Sequence, residues 1–174
     1  LNGSKTFITN GQHANLIILW GANLTSQPNT GRYLIAAKRR GAYVVTIDVR
    51  DTEVAAQSDE VLKIRPGTDA ALALALMHVI INEELYSRGF VTHHTVGFAE
   101  LAAHVKNYSP TWAADITGIP AAQIVALARR YAATRPSMIL IGGSSMHKGA
   151  NGWHAARARN AAHYEELLDR KSVV

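Results

Sequence analysis

The 174-residue chain contains no cysteine. That absence excludes a disulfide framework, a cysteine zinc site, a cysteine-held iron–sulfur cluster and a thiol nucleophile within these residues. It carries little information about compartment. Charge is also scarce: 18% of residues are charged, both signs are mixed, and the formal net charge is +5, while 48% of residues are hydrophobic. That balance excludes a disordered chain and suits one domain with a sizeable core. Long apolar runs are lacking too. Each is interrupted within about ten residues, short of the roughly 20 that a membrane helix needs. No basic-then-apolar leader is present and the first residue is Leu1 rather than Met, so the chain reads as an internal piece of something longer. The basic clusters, Lys38-Arg39-Arg40 and Arg129-Arg130, each end a helical pattern. Cations there complement the negative end of the helix dipole, so they read as solvated helix ends. Nucleic-acid binding would need a longer basic stripe with exposed aromatics.

What is present is a set of short, strongly apolar strands. Leu16-Ile17-Ile18-Leu19-Trp20 is apolar at every position, the pattern of a buried parallel strand. Pro28 suits the start of a helix running to Arg40, with Thr30, Tyr33, Leu34 and Ala37 on one side and Gly41 as its C-terminal cap. Tyr43–Ile47 and Val61–Ile64 read as two further strands. After the turn at Pro66-Gly67, Asp69–Glu84 is an Ala- and Leu-rich helix with Thr68 or Asp69 as N-cap. Residues 85–131 are helical in pattern, punctuated at Gly89, Gly97, Pro110, Gly118 and Pro120. Pro120–Ala133 is the clearest helix there, with Ile124, Leu127 and Ala128 spaced for one face. Ser137–Ile141 is a fourth strand, and the stretch from Trp153 onward is compatible with helix. This order predicts an α/β fold: a three-layer, doubly wound, Rossmann-like domain around a parallel sheet, incomplete in extent. The loops after its strands, beginning at Gly21, Asp48, Ile64 and Gly142, would lie along the edge where such folds bind ligands.

Each loop carries chemistry and a plainer alternative. Gly21 permits a tight turn or a close ligand approach, and Asn23 offers donor and acceptor, but neither the G-x-G-x-x-G turn nor the phosphate loop is present. Asp48, at a strand end, is placed to accept from a ribose or base, or to cap its own turn; Arg50 could hold a phosphate or a carboxylate. Asp69 at a helix start disfavours a phosphate and suits the N–H edge of a guanine, although simple capping also accounts for the Pro66-Gly67-Thr68-Asp69 turn. Gly142–Gly149, GGSSMHKG, fails the G-x-S-x-G elbow because Met146 replaces its second glycine, which argues against a serine hydrolase. Its glycines, hydroxyls, His147 and Lys148 would make an anion cradle. The histidines lack metal-site spacing: His93 and His94 are adjacent, and no carboxylate separates His147 from His154. No metal-ligating residue and no catalytic residue is assigned.

Four of these stretches in order, WGAN, IDVR, PGTD and GGSSMHKGANG, closely resemble molybdopterin-dependent oxidoreductases of the dimethyl sulfoxide reductase type. The resemblance covers residues 14–158, about four-fifths of the chain. It implies a metal, molybdenum or tungsten, held by bis-molybdopterin guanine dinucleotide, and metal-centred electron or oxygen-atom transfer in the parent enzyme. Gly21 and Asn23 would lie against the phosphates and ribose of one nucleotide. Asp48 would accept from the guanine edge with Arg50 close by, and Gly67 and Asp69 would complete that pocket. Ser145, His147, Lys148 and Gly149 look like the stretch approaching a pterin near the metal. In this family the molybdenum-ligating side chain and any iron–sulfur cysteines precede the segment seen here, so the parent's iron–sulfur cluster would not be held by this chain. The chain by itself would bind part of a cofactor without performing the redox step. The implied partners are the remainder of the parent enzyme and electron-transfer subunits, with no nucleic acid and no membrane span.

Both ends depart from that pattern. Within residues 1–13, Leu1–Gln12 (LNGSKTFITNGQ) resembles the middle β-domain of acyl-CoA dehydrogenases, where Phe7-Ile8-Thr9 would sit at a flavin. That family's catalytic carboxylate and helical bundle have no counterpart here, so the stretch reads as a joined fragment. An FAD-dependent acyl-CoA dehydrogenase fragment or fusion is the alternative, as is a non-catalytic nucleotide-binding module. Residues 159–174 match neither family, and their ending, DRKSVV, looks like a translated sequencing adapter.

Overall fold

A computed structural model of the chain describes residues 13–22, 24 and 28–142. They fall into two compact units, one drawn from residues 13–63 with 134–142, the other from residues 64–133.

The first unit is built on a four-stranded parallel sheet. Its strands are β1 (Leu16–Trp20), β2 (Tyr43–Asp48), β3 (Glu60–Lys63) and β4 (Ser137–Ile141), in the order β3-β2-β1-β4. The α/β class and the parallel sheet are as the sequence predicts. β1 pairs in parallel with β2 on one side and β4 on the other, and all five of its residues are buried. Alternate residues of a strand face opposite sides of a sheet. Ile17 and Leu19 point to the side carrying α1 (Pro28–Arg39), where they join Leu24, Leu34, Ala37, Val44 and Val54, flanked by Met138 and Leu140. Leu34 and Ala37 thus form the buried face of α1; Tyr33 is half-buried and the side chain of Thr30 lies outside the described set.

Local chemistry sets where α1 stops. Gly41 adopts φ +89°, its N–H donates to the Lys38 carbonyl at 2.9 Å, and Ala42 N–H donates to the Ala37 carbonyl at 3.1 Å. That pair of bonds is a Schellman closure, which requires the left-handed residue glycine supplies. Lys38 does not end in solvent as the basic cluster suggested. Its ammonium pairs with Asp59 at 3.1 Å and also donates to the Gln57 carbonyl.

Asp59 fastens the start of β3 to β2. Its Oδ2 accepts from Val44 N–H at 2.7 Å, and its own N–H donates to the Val44 carbonyl at 2.9 Å, one residue before the β2–β3 ladder begins at Val45 and Glu60. Burial pushes its carboxyl up, but the Val44 N–H and the Lys38 ammonium outweigh that and hold it below the ordinary 3.8. A carboxyl lowered in the folded state contributes stability that is present above its unfolded value and lost as pH falls through its folded one. Asp59→Asn retains an acceptor for Val44 but loses the charge facing Lys38. The variant is therefore expected to be less stable than wild type at pH 7, with the gap closing below about pH 4. Urea midpoints across pH 3–7 check this; a gap independent of pH would show that the charge contributes nothing.

The second unit is helical: α2 (Asp69–Asn82), α3 (Arg88–His94), α4 (Phe98–Val105), α5 (Pro110–Thr117) and α6 (Ala121–Ala133). α2 packs against α4, α5 and α6, and buries Ala71, Leu72, Ala73, Ala75, Met77 and Val79. Its apolar residues cover more than one face, as in a helix with neighbours on several sides. Ile124, Leu127 and Ala128 form the buried stripe of α6, as their spacing predicts. Ser87 and Ser109 cap α3 and α5 by accepting from Phe90 and Trp112 N–H, with Pro110 in the first turn of α5. Gly89, read from sequence as a break, lies inside α3, where the Ser87 cap begins the helix before it. Arg129 likewise is no isolated helix-end cation: its guanidinium forks onto Glu83 at 2.8 and 2.9 Å. No helix of the described residues is long and apolar enough to cross a membrane.

Candidate functional site

Because every strand of the sheet is parallel, all four chain exits after the strands lie along one edge. Chain order runs outward from β1 through β2 to β3, then returns to the other side of β1 for β4. The reversal between β1 and β4 is a topological switch point, the place where open α/β sheets bind ligands. Glycines stand on both sides of it. Gly21 follows β1 with φ +59° and donates its N–H to the Ile47 carbonyl at 2.8 Å. Gly142 follows β4 and donates its N–H to the Trp20 carbonyl at 3.0 Å. The structure therefore brings Gly21 beside the end of β2, next to Asp48.

Asp48 is half-buried at the last position of β2. Its Oδ1 accepts from Val49 N–H at 2.7 Å and from Arg50 N–H at 3.2 Å, an Asx-type turn that fixes the carboxylate on its own backbone. No described residue bonds to Oδ2. Both sequence readings of Asp48 are thus compatible in one side chain: one oxygen caps the turn and the other remains an acceptor. Arg50 is exposed, and its guanidinium has no partner among the described residues. The adjacent Asp51 is tied instead to Lys63 at 2.6 Å. Lys63 sits opposite Asp48 in the β2–β3 register, so a cation ends β3 beside the carboxylate that ends β2. Lys63 was not singled out from sequence, because nothing local to residues 60–63 signals a partner twelve residues earlier.

Gly67 and Asp69 belong to the helical unit. Arg65-Pro66-Gly67-Thr68 is a tight turn in which Thr68 N–H donates to the Arg65 carbonyl at 3.3 Å. Proline in second place and glycine at φ +78° in third are the pattern of a type II turn, and a Cβ on Gly67 would meet nothing within 4 Å. The glycine is demanded by conformation and not by crowding. Thr68 occupies the N-cap position of α2 without capping it: its hydroxyl donates backward to the Arg65 carbonyl at 2.7 Å. Asp69 is the first helical residue, half-buried, with its charge at the favourable end of the helix dipole.

Asn23, Ser145, His147, Lys148 and Gly149 lie outside the described residues, as do Leu1–Gln12, Phe7-Ile8-Thr9 and residues 143–174. Among the described residues no group of three or more His, Asp or Glu side chains is placed to hold a metal ion. Among the described residues this edge offers glycine surface, one partly committed carboxylate and one guanidinium without a described partner. Those groups suit binding and orientation more than bond-making.

A family model described as "Molybdopterin oxidoreductase" matches residues 3–163. Among curated proteins, the chain is 40% identical over 142 residues to the probable oxidoreductase YoaE of Bacillus subtilis, covering 80% of this chain and 21% of that protein. It is 37% identical over 131 residues to formate dehydrogenase H of Escherichia coli, covering 75% of this chain and 18% of that protein. Among solved structures, acetylene hydratase from Pelobacter acetylenicus superimposes with a TM-score of 0.78 at 37% identity, over 83% of this chain and 20% of that one. The chain thus spans about a fifth of the length of the relatives it matches. With nearly all of its length inside one family's pattern, the chain belongs to the molybdopterin oxidoreductase family.

Proposed function

We propose that this chain holds the nucleotide end of a molybdopterin guanine dinucleotide, within an enzyme whose metal carries out electron or oxygen-atom transfer. The observation that carries the reading is the end of β2 beside the switch point. Asp48 keeps one carboxylate oxygen on its own backbone, while the other has no described partner, next to the glycine that ends β1. A guanine presents adjacent N–H donors on one edge, and a carboxylate oriented in advance is the acceptor such an edge needs. Arg50 supplies a guanidinium suited to a phosphate, and Gly21 lets a ligand approach the backbone closely.

We assign cofactor holding to residues 14–158, with Asn23, Gly67, Asp69, Ser145, His147, Lys148 and Gly149 as further contacts. In that assignment the metal and pterin, when bound, supply the redox chemistry. The chain's own groups fix the nucleotide by hydrogen bonds and charge. Electron-transfer partners and an iron–sulfur cluster belong, in this reading, to the rest of the parent enzyme.

Calorimetric titration of the 174-residue chain with GDP and with ADP tests the proposal. GDP is expected to bind and ADP to bind at least about tenfold more weakly, the consequence of losing one charge-assisted hydrogen bond. Equal affinity for the two nucleotides would remove guanine from the assignment.

A further inference from the structure

Lys63 carries a charge that the fold itself makes little use of. Its ammonium meets Asp51 at 2.6 Å, with the two side chains 57% and 77% exposed. Pairs so open to water contribute little to stability. The other ion pairs that join distant segments of the described residues are built more firmly. Asp59, held by Lys38, also accepts from Val44 N–H, and Arg129 grips Glu83 through two nitrogens. Lys63–Asp51 is a single contact between a strand end and a turn.

What sets Lys63 apart is its neighbour. It is the last residue of β3 and stands opposite Asp48, the last residue of β2, in the parallel register. Residues opposite each other in adjacent strands project to the same side of the sheet, with the strands about 4.8 Å apart. The flexible four-carbon stem of lysine can cover that distance, and its ammonium has three donors, of which Asp51 takes one. Asp48 keeps Oδ1 on Val49 and Arg50 N–H, with no described partner for Oδ2. An acceptor and a donor therefore stand side by side where β2 and β3 end, both within the sheet unit.

We propose that Lys63 is a specificity-determining residue: beside the Asp48 carboxylate, its ammonium donates to the 6-oxo group of the base and restricts the site to 6-oxopurines. This rests on the guanine reading above. On a 6-oxopurine the ring N–H and the oxygen at position 6 are adjacent, a donor next to an acceptor, which a carboxylate beside an ammonium satisfies. Adenine reverses both, with a ring nitrogen that accepts and an amine that donates. The pair therefore rejects adenine, setting acceptor against acceptor and donor against donor, as well as favouring guanine. Asp51, on the turn after β2, keeps the ammonium at this end of the sheet and, being open to water, competes with the base only weakly.

The test compares GDP with its 6-thio analogue, in which a weakly accepting sulfur replaces the oxygen, by calorimetric titration of the 174-residue chain. Wild type is expected to prefer GDP by at least about threefold. Lys63→Met should remove most of that preference by weakening GDP at least about threefold and the thio analogue much less. Lys63→Gln, which retains a neutral donor, should lie between the two and serves if methionine is not tolerated. Asp51→Asn, which frees the ammonium, is expected to leave GDP affinity intact or raise it up to about fivefold. Lys63 and Asp51 are exposed, so the melting temperatures should stay close to that of wild type. If Lys63→Met weakens both nucleotides equally, or neither, the ammonium does not read position 6 and the proposal is overturned. If Asp51→Asn weakens GDP as Lys63→Met does, the ion pair merely fixes the turn and the proposal is again overturned. Loss of GDP binding in Asp48→Ala would show in either case that the guanine reading stands. If wild type binds GDP and ADP equally, both are overturned.

Discussion

Leu19→Ala will destabilise the chain by about 2–5 kcal/mol, the range for deleting a buried leucine side chain. Leu19 is 1% exposed, on β1, an inner strand of the sheet, and packs in a cluster with Leu24, Leu34, Val44 and Val54, with Leu140 at its margin. Those neighbours come from α1, β2, β4 and two connecting segments, so no single element can shift to close the space. The cavity left behind adds to the lost transfer free energy. Against a total stability of about 5–15 kcal/mol for a typical domain, this one change threatens folding at 37 °C. Urea denaturation gives the check: the midpoint should fall at an unchanged slope. Ile35→Ala, on the outward side of α1 at 47% exposure, is the matched control and should stay within about 0.5 kcal/mol. Equal effects at the two positions would mean that the buried cluster is not what holds this unit together.

The second large effect is expected at Asp48. Asp48→Ala should weaken GDP binding by about 10- to 100-fold, the range for removing a charge-assisted hydrogen bond. Asp48→Asn separates the two roles of the side chain. Its amide oxygen can still accept from Val49 and Arg50 N–H, but the remaining group becomes a donor facing guanine donors. Asparagine should therefore leave the melting temperature nearly unchanged and still lose most of the GDP affinity. Alanine should lower both, because the turn loses its acceptor. If Asp48→Asn binds GDP as wild type does, Asp48 is a turn cap and nothing more.

Comparing these two positions shows what kind of information was local. Leu19 lies in a run of five apolar residues, and such a run demands burial on both faces wherever the strand is placed. The closures at Gly41 and Gly118 and the start at Pro110 are likewise local, since each depends on the φ or the missing N–H of one residue. Gly89 shows the limit of that logic. One glycine in a helix costs only about 1 kcal/mol, so the Ser87 cap and the burial of Phe90 outweigh it.

The amino-acid sequence alone determined the strands and most of the helices, the α/β class, and the family, because short-range periodicity, turn residues and ordered motifs are all written along the chain. The strand order, with β4 returning beside β1, was decided only by tertiary structure, as were the distant partners of several charged residues. Lys38 with Asp59, Lys63 with Asp51, Arg129 with Glu83 and Arg65 with the end of α5 join residues 12 to 51 positions apart. No local pattern encodes such pairs. They exist because packing of buried surfaces brings distant segments together, and charged side chains then take the nearest available partner.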